Sequence, residues 1–507
     1  MKGLLLLGLA ALGLLGAAPG KPKLVLFIVV DQCRYDYMTR YRNDYTGGFD
    51  RLLRDGANFT GAHDDFFPTL TAVGHATLLS GAMPSATGII ANGWYDRETR
   101  KPVTSVSDAA TRLIGGGMDA GAGASPRRLL VSTLPDELRK ATGDRARVFG
   151  ISAKDRSAIL LAGHRANGAY WFDEKSGAFV TSSYYQPELP DWVRAFDNTH
   201  PADRALGATW LGHRIATHGK PRYEPVQWSP FSNDMVEELA ERAIEANRLG
   251  SREDTDLLAV SFSATDYVGH KYGPDSPEIH ETLLRTDRLL AKLFQLVERD
   301  VGLSNTLVVL TSDHGIPPLA KVRQAQNLPG GHYPLTVVGK AVQTALTARY
   351  GAGKWVTGCW DNLLYLNREP IASKKLNVAE VNSAAAAAVA AIPHMARVFT
   401  REQLMDKNRA WDETGRLVEN GFNPARAADV VFLPEPYFVF HSLDTTHGTT
   451  YDYDTHIPLI FMGSGIRVGS YDAAVRSNDV ASTLAEILGL PKLDASVGRV
   501  LSEMFAR

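Results

Sequence analysis

Five short apolar runs, four of them closing on ionisable residues, set the strongest limit on how this chain folds. "KLVLFIVVDQ" closes on Asp31, "ARVFGISAKDR" on Lys154 and Arg156, "DLLAVSFSATD" on Asp266 and "NTLVVLTSDHG" on Asp313 and His314; "THIPLIFMG" is the fifth. Runs this short and this apolar, with no polar alternation, fit strands buried on both faces. Between them lie helical patterns such as "NDMVEELAERAIEANRL" (233–249) and "ETLLRTDRLLAKLFQLVER" (281–299). The alternation predicts an α/β fold, a mostly parallel sheet covered by helices on both faces. In such sheets the ligand crevice lies beyond the carboxyl ends of the strands, where these ionisable residues fall.

Two stretches break the alternation. Residues 157–232 are rich in aromatics, Pro and turn residues ("GAYWFDEKSGAFVTSSYYQPELPDW"), and residues 316–440 contain the Ala-rich helix "VAEVNSAAAAAVAAI". Both are expected to be caps inserted into one catalytic domain spanning 21–507. The Gly-rich "GGGMDAGAGA" (115–124) follows no strand and reads as a surface loop rather than a phosphate cradle.

At the N-terminus, Lys2 precedes "LLLLGLAALGLLG" and the small residues "AAPG". A dozen or so apolar residues are too few to span a bilayer and match a secretory signal peptide. Residues 1–20 are therefore expected to be cleaved on export, leaving a soluble periplasmic or secreted chain with no stable membrane insertion. A net charge of −2 supplies no field to recruit nucleic acid or an anionic membrane. Cys33 and Cys359 are the only cysteines, too few for a disulfide framework or a Cys-rich zinc site, and whether they pair is open.

"FFPTLTAVGHATLLSG" (66–81) enters a helix through Thr69 and Thr71, with His75 one turn on. A helix N-terminus attracts anions and takes Ser or Thr as a cap, so Thr71 is either a cap or a hydroxyl aimed at an anionic substrate. Three clusters bear on the choice. Asp266 and His270 stand four apart, Asp313 and His314 are adjacent at a strand end, and His447 and His456 precede another strand. Singly each fits a solvated turn. With Asp31 they form a set of oxygen and imidazole donors on one sheet edge, suited to zinc and numerous enough for two ions. Two metals would make a weak Thr hydroxyl reactive and stabilise the leaving oxygen, which turns the reading of Thr71 toward nucleophile, with Thr69 behind it. Asn92 fits an amide donor to a phosphoryl oxygen or a turn residue before Gly93. Lys154 and Arg156 would share a face if their strand continues, gripping phosphate or forming a salt-bridged strand end. His75 reads as structural.

Taken together, "DQCRYDY", "PTLTAVGHATLLSG", "GIIANGWYD", "SAKDR", "SATDYVGHKYG", "TSDHG" and "THGTTYDYDTHIP" resemble the alkaline phosphatase superfamily, in particular its bacterial periplasmic PafA/PhoK-like branch with a Thr nucleophile. The resemblance runs from about residue 22 to the C-terminus. It implies a zinc-dependent phosphate monoester hydrolase with two zinc ions, a phospho-threonine intermediate on Thr71 and small-molecule phosphate monoesters as substrates. It also implies that Asp31, Thr71, Asp313 and His314 hold one zinc while Asp266, His270 and His447 hold the other. Asn92, Lys154 and Arg156 would contact the phosphoryl oxygens. His456 is the rival for the last ligand position, but His447 lies in the "HG" loop that matches the family pattern. A monomer is expected. The alternative activity within the superfamily is a nucleotide pyrophosphatase/phosphodiesterase. No Cys- or Ser-x-Pro-x-Arg sulfatase motif is present, and a complete nucleophile and ligand set argues against a catalytically silent metal-binding protein.

Overall fold

A computed structural model describes residues 20–116 and 121–506. Residues 1–19 of the expected signal peptide, and 117–120 of the Gly-rich stretch, lie outside the described residues.

The strands that position the site are β1 (Leu24–Val30), β2 (Ala57–His63), β3 (Val148–Ser152), β4 (Asp256–Phe262), β5 (Thr306–Thr311) and β6 (Leu459–Gly463). The accompanying helices are α1 (Thr71–Ser80), α2 (Asp155–Ala162), α3 (Ala264–Tyr272), α4 (Pro277–Asp300) and α5 (Asp452–Thr455). At the centre of an eleven-stranded sheet, β3, β4, β1 and β5 lie side by side and parallel. Beyond β5, β6 runs antiparallel and β2 pairs antiparallel with it. "THIPLIFMG" is thus a buried strand, but one that reverses direction.

The apolar runs work as expected for two-sided burial. Leu24, Leu26, Ile28 and Val30 of β1 join one core, and Val25, Phe27 and Val29 join the core on the opposite face. Strand β5 divides the same way, Val308 and Leu310 against Leu307 and Val309. Helix α4 covers the first face with Ile279, Leu283, Leu290, Leu293 and Val297; Ser276 caps it by accepting the Ile279 N–H, and Pro277 opens its first turn. On the other face α1 is buried on every side. The fold is the mixed α/β class, with a mostly parallel centre, that the sequence pattern predicts.

The two stretches that break the alternation, 157–232 and 316–440, behave differently. Residues 157–162 complete α2, and the strands Gly168–Asp173 and Ala178–Ser182 extend the main sheet beyond β3, so the first of them does not begin as a cap. Its aromatics (Phe172, Phe179, Phe196, Trp210, Tyr223) fill the main core instead. Residues in the second stretch build their own antiparallel sheet, with strands Val356–Trp360, Leu363–Leu366, Met395–Thr400 and Val430–Pro434. The helices Thr336–Tyr350 and Val378–Ala390 enclose a separate core with it, around Leu346, Trp355 and Phe432. Cys33 is buried in the main core and Cys359 sits in this second sheet; both are free thiols. Among the described residues no helix is long and apolar enough to cross a membrane.

Asp197, at the end of the helix Asp191–Asp197, provides a stability handle far from the strand ends. Burial pushes its carboxyl up to about 7, although it accepts the Phe179 N–H at 2.9 Å. A folded pKa above the unfolded value means the folded state keeps a proton that the unfolded chain has lost. The stabilisation is present at low pH and disappears as pH rises through about 7. Asp197→Asn keeps an acceptor for Phe179 and removes the buried charge, so it should raise Tm more at pH 8.5 than at pH 5, as read by calorimetry.

Candidate active site

The parallel centre delivers its carboxyl ends to one edge, and each strand hands the chain to a site residue there. Strand β1 leads into Asp31 and β5 into Asp313 and His314; β4 leads into α3, which carries Asp266 and His270 one turn apart; β3 leads into Lys154 and Arg156. The condition for Lys154 and Arg156 to share a strand face, that the strand continue through them, is not met. Strand β3 ends at Ser152, Lys154 occupies the N-cap position of α2, and Arg156 lies in that helix's first turn.

Thr71 is the first residue of α1. The N-cap is Leu70, and no side chain caps the helix end. The Thr71 hydroxyl instead lies 3.4 Å from His314 Nε2 and accepts from Lys154 Nζ at 3.4 Å. The cap reading therefore fails on position. Thr69 is excluded as its rival, because its hydroxyl donates to the Thr449 carbonyl at 2.9 Å. Helix α1 comes this close to β5 because residue 74 is Gly; a Cβ there would sit 2.3 Å from the Asp313 carbonyl oxygen. His75 fastens the same contact, with Nδ1 2.8 Å from the Thr71 carbonyl and 3.1 Å from Asp313 Oδ2, and Nε2 2.9 Å from Ser261 Oγ. It is a structural histidine, as its sequence position suggests.

Around Thr71, two groups of donors close to within 4.8 Å: Asp31 with Asp313 and His314, and Asp266 with His314 and His447. His270 Nε2 lies 3.2 Å from Asp266 Oδ1, and His447 Nε2 lies 3.5 Å from the same oxygen. Each imidazole is oriented by a backbone carbonyl on its far nitrogen: His270 Nδ1 to Thr445 at 3.0 Å, His314 Nδ1 to Gly315 at 3.0 Å and His447 Nδ1 to Thr69 at 2.7 Å. Since carbonyls only accept, each Nδ1 carries a proton, which leaves Nε2 as the nitrogen that faces the centre.

The charges show what this centre lacks. Asp31, Asp266 and Asp313 are buried together, and Lys154 donates to Asp31 Oδ2 at 2.7 Å and to Asp266 Oδ2 at 2.6 Å. Asp31 Oδ1 has no hydrogen-bond partner, and Asp313 Oδ2 has only the 3.1 Å approach of His75 Nδ1, whose proton is directed to the Thr71 carbonyl. Burial, with Asp313 nearby, drives the Asp31 carboxyl well above the carboxylate range despite Lys154. Burial would raise Asp266 and Asp313 too, but Lys154 and His270 hold the first down, and His314 and His75 the second. Burial pushes His314 down to about 3, so its imidazole is neutral at any working pH. Orphaned carboxylate oxygens beside inward-facing imidazole nitrogens, that of His314 neutral, fit divalent cations, and the O/N donor chemistry suits zinc.

Next to Thr71 in the chain, the Ala72 N–H donates to Asn92 Oδ1 at 2.9 Å, which leaves the Asn92 NH2 as the free end. The Arg156 Nε has no partner. Among the described residues its guanidinium has only the 3.8 Å contact with Asp155. One amide NH2, on Asn92, and one guanidinium, on Arg156, thus remain uncommitted.

A family model described as type I phosphodiesterase/nucleotide pyrophosphatase matches residues 25–456. The chain belongs to this family, within the alkaline phosphatase superfamily. It is 33% identical to alkaline phosphatase PafA of Elizabethkingia meningoseptica, over 98% of this chain and 97% of that one. It is 31% identical to alkaline phosphatase PhoV of Synechococcus elongatus, over 96% and 93%. The crystal structure of wild-type PafA superposes with a TM-score of 0.90, covering 96% of this chain and all of that one. A PafA variant with a threonine, an asparagine, a lysine and an arginine replaced gives 0.91.

The sequence reading of this superfamily member missed Gln32. Its backbone lies in the left-handed region (φ 63°), which points its N–H at Asp313 Oδ1 (3.1 Å) while its side-chain NH2 donates to Asp266 Oδ1 (2.7 Å). One residue thereby links the two donor groups, and Gly269 makes room for it, since a Cβ there would lie 1.9 Å from Gln32 Oε1. No local pattern signals this role, because it depends on where β4 and β5 lie beside β1. His456, the rival ligand, joins His63 and Asp452 elsewhere, whereas His270, also outside both donor groups, still reaches Asp266 at 3.2 Å.

Proposed function

We propose that this chain is an exported, monomeric alkaline phosphatase that hydrolyses small phosphate monoesters through a covalent phospho-Thr71 intermediate. One zinc would be held by Asp31, Thr71, Asp313 and His314, and a second by Asp266, His270 and His447. The observation that carries the reading is the position of Thr71: an uncapped hydroxyl on the first turn of α1, within 3.4 Å of both His314 Nε2 and Lys154 Nζ.

When bound, the ions supply Lewis-acid stabilisation of the attacking and leaving oxygens. The chain's own residues do the rest. Helix α1, fixed by His75 and Gly74, aims the Thr71 oxygen at phosphorus. Attack forms the O–P bond to Thr71 and breaks the bond to the leaving alcohol, and water then cleaves the phospho-threonine to free phosphate. The Asn92 NH2 and the Arg156 guanidinium donate to non-bridging oxygens, where charge accumulates. Lys154 adds a positive charge between the carboxylates and the hydroxyl. The reading is supported by the PafA variant, whose four replaced residue types stand in the same order and at the same spacing as Thr71, Asn92, Lys154 and Arg156. PafA and PhoV, both named alkaline phosphatases, match the chain nearly end to end, which favours monoesters over the phosphodiesterase alternative.

Exhaustive chelation should abolish turnover of an aryl phosphate, and zinc should restore it, with metal content followed by elemental analysis. Full turnover by demonstrably metal-free protein would overturn the two-zinc reading.

A further inference from the structure

We propose a further divalent-metal site, outside the buried centre, formed by His63, Asp452 and His456. It binds a borderline transition-metal ion such as Zn2+ at the solvent edge of β2. Their ligand atoms lie within 4.8 Å of one another. This site does not depend on how the buried centre is loaded.

The proton positions carry the argument. His456 Nε2 lies 2.8 Å from the Thr60 carbonyl, so Nε2 bears the proton and Nδ1 is bare; that bare nitrogen faces Asp452 Oδ1 at 4.0 Å. His63 Nδ1 lies 3.4 Å from the Gly61 carbonyl, and its Nε2 lies 3.1 Å from the same Asp452 oxygen. The three ligand atoms are thus close together, with the His63 Nε2–Asp452 pair bridged by a proton that an ion would displace. A proton on His63 would satisfy its pair with Asp452 but leave His456 Nδ1 unserved, whereas a metal ion serves all three. Two imidazoles and one carboxylate select zinc and its neighbours over calcium or magnesium, which prefer oxygen.

The surroundings favour a cation. His63 and Asp452 line a cleft of about 450 Å³ that also contains Asp64, Asp65 and Glu413. Arg416 and Arg476 face it too, but both direct their guanidinium groups to Asp65, at 3.6 and 3.1 Å. His456 is already immobilised, its ring stacked on Tyr35 at 4.4 Å and on His63 at 4.3 Å. The two imidazole planes are only 12° apart, so one ion can lie in both only if a ring turns. His63, the more exposed of the two rings (40% against 25%), is the one that would turn, giving up its stack on His456.

An ion here would staple α5 to β2. Helix α5 also anchors the loop that carries His447, because Asp454 Oδ2 accepts from the N–H and the hydroxyl of Thr449, at 2.8 and 2.6 Å. The staple thus secures the far end of a segment whose near end reaches the buried centre.

The test is a zinc count on full-length protein, stripped by chelation and dialysed against buffered zinc at neutral pH. Wild type should hold one more equivalent than Asp452→Asn or His63→Gln, with the affinity of that equivalent reduced about 100-fold or more by either change. Asp452 has an 80% exposed side chain, so its replacement leaves the core intact, and near-ultraviolet circular dichroism checks both folds. His394→Gln, at another surface histidine–carboxylate pair (2.9 Å to Glu435), is the control and should retain the equivalent. Equal counts in all four proteins, or a loss confined to the His394 variant, would overturn the site. The buried centre is unaltered throughout and drops out of the comparison.

Discussion

Thr71→Ala is expected to lower turnover of a phosphate monoester by about four orders of magnitude or more, the scale on which removal of a covalent nucleophile acts. The fold should survive. Thr71 makes no capping bond, so even the usual cost of a lost cap, about 0.5–2 kcal/mol, does not apply in full. Thr71→Ser retains the hydroxyl and should keep part of the rate, and acid quenching of wild type with labelled substrate should trap phosphate on Thr71. An alanine variant that turns over normally and is only less heat-stable would return Thr71 to a structural role.

The second large effect concerns ester choice. A monoester dianion carries three non-bridging oxygens and two charges, a diester two such oxygens and one charge. Arg156, with an unpartnered Nε, and Lys154, beside Thr71, add positive charge that a diester uses poorly. A charged hydrogen bond contributes about 1.5–3 kcal/mol, so the pair can bias the enzyme toward monoesters by several orders of magnitude. Replacing both with Ala should lower monoester kcat/KM far more than diester kcat/KM, and Arg156→Lys should be costly if the guanidinium grips two oxygens. Lys154 also neutralises Asp31 and Asp266, at 2.7 and 2.6 Å, so its loss harms the centre for either substrate. The ratio of the two kcat/KM values cancels that common loss and isolates selectivity. Equal losses would make the two side chains supports of the site, and a wild-type preference for diesters would bring forward the phosphodiesterase alternative.

Several parts of this outcome were legible in one dimension. The strands β1, β3, β4 and β5 are written as apolar runs because a strand covered on both faces has no polar side to alternate with. The ionisable residues after them are legible because a parallel sheet exposes its carboxyl ends to one crevice. Asp31, Lys154, Asp266, Asp313 and His314 could therefore be named before their neighbours were known. The aromatic stretch after residue 157 was misread, since Trp171, Phe172 and Phe179 in two strands of the main sheet look in composition like a cap.

What sequence could not decide were questions of contact. Whether Thr71 caps its helix depended on Leu70 taking the N-cap position and on Gly74 letting α1 press against Asp313. Whether Lys154 and Arg156 share a strand face depended on β3 stopping at Ser152. The choice between His447 and His456 depended on which loop reaches over Asp266, and Gln32 gained its role only because β4 and β5 flank β1. Local pattern determines which way a side chain leaves its own strand or helix. Which residue it meets is determined by strand order and by close approaches between distant segments, and only the folded chain contains those.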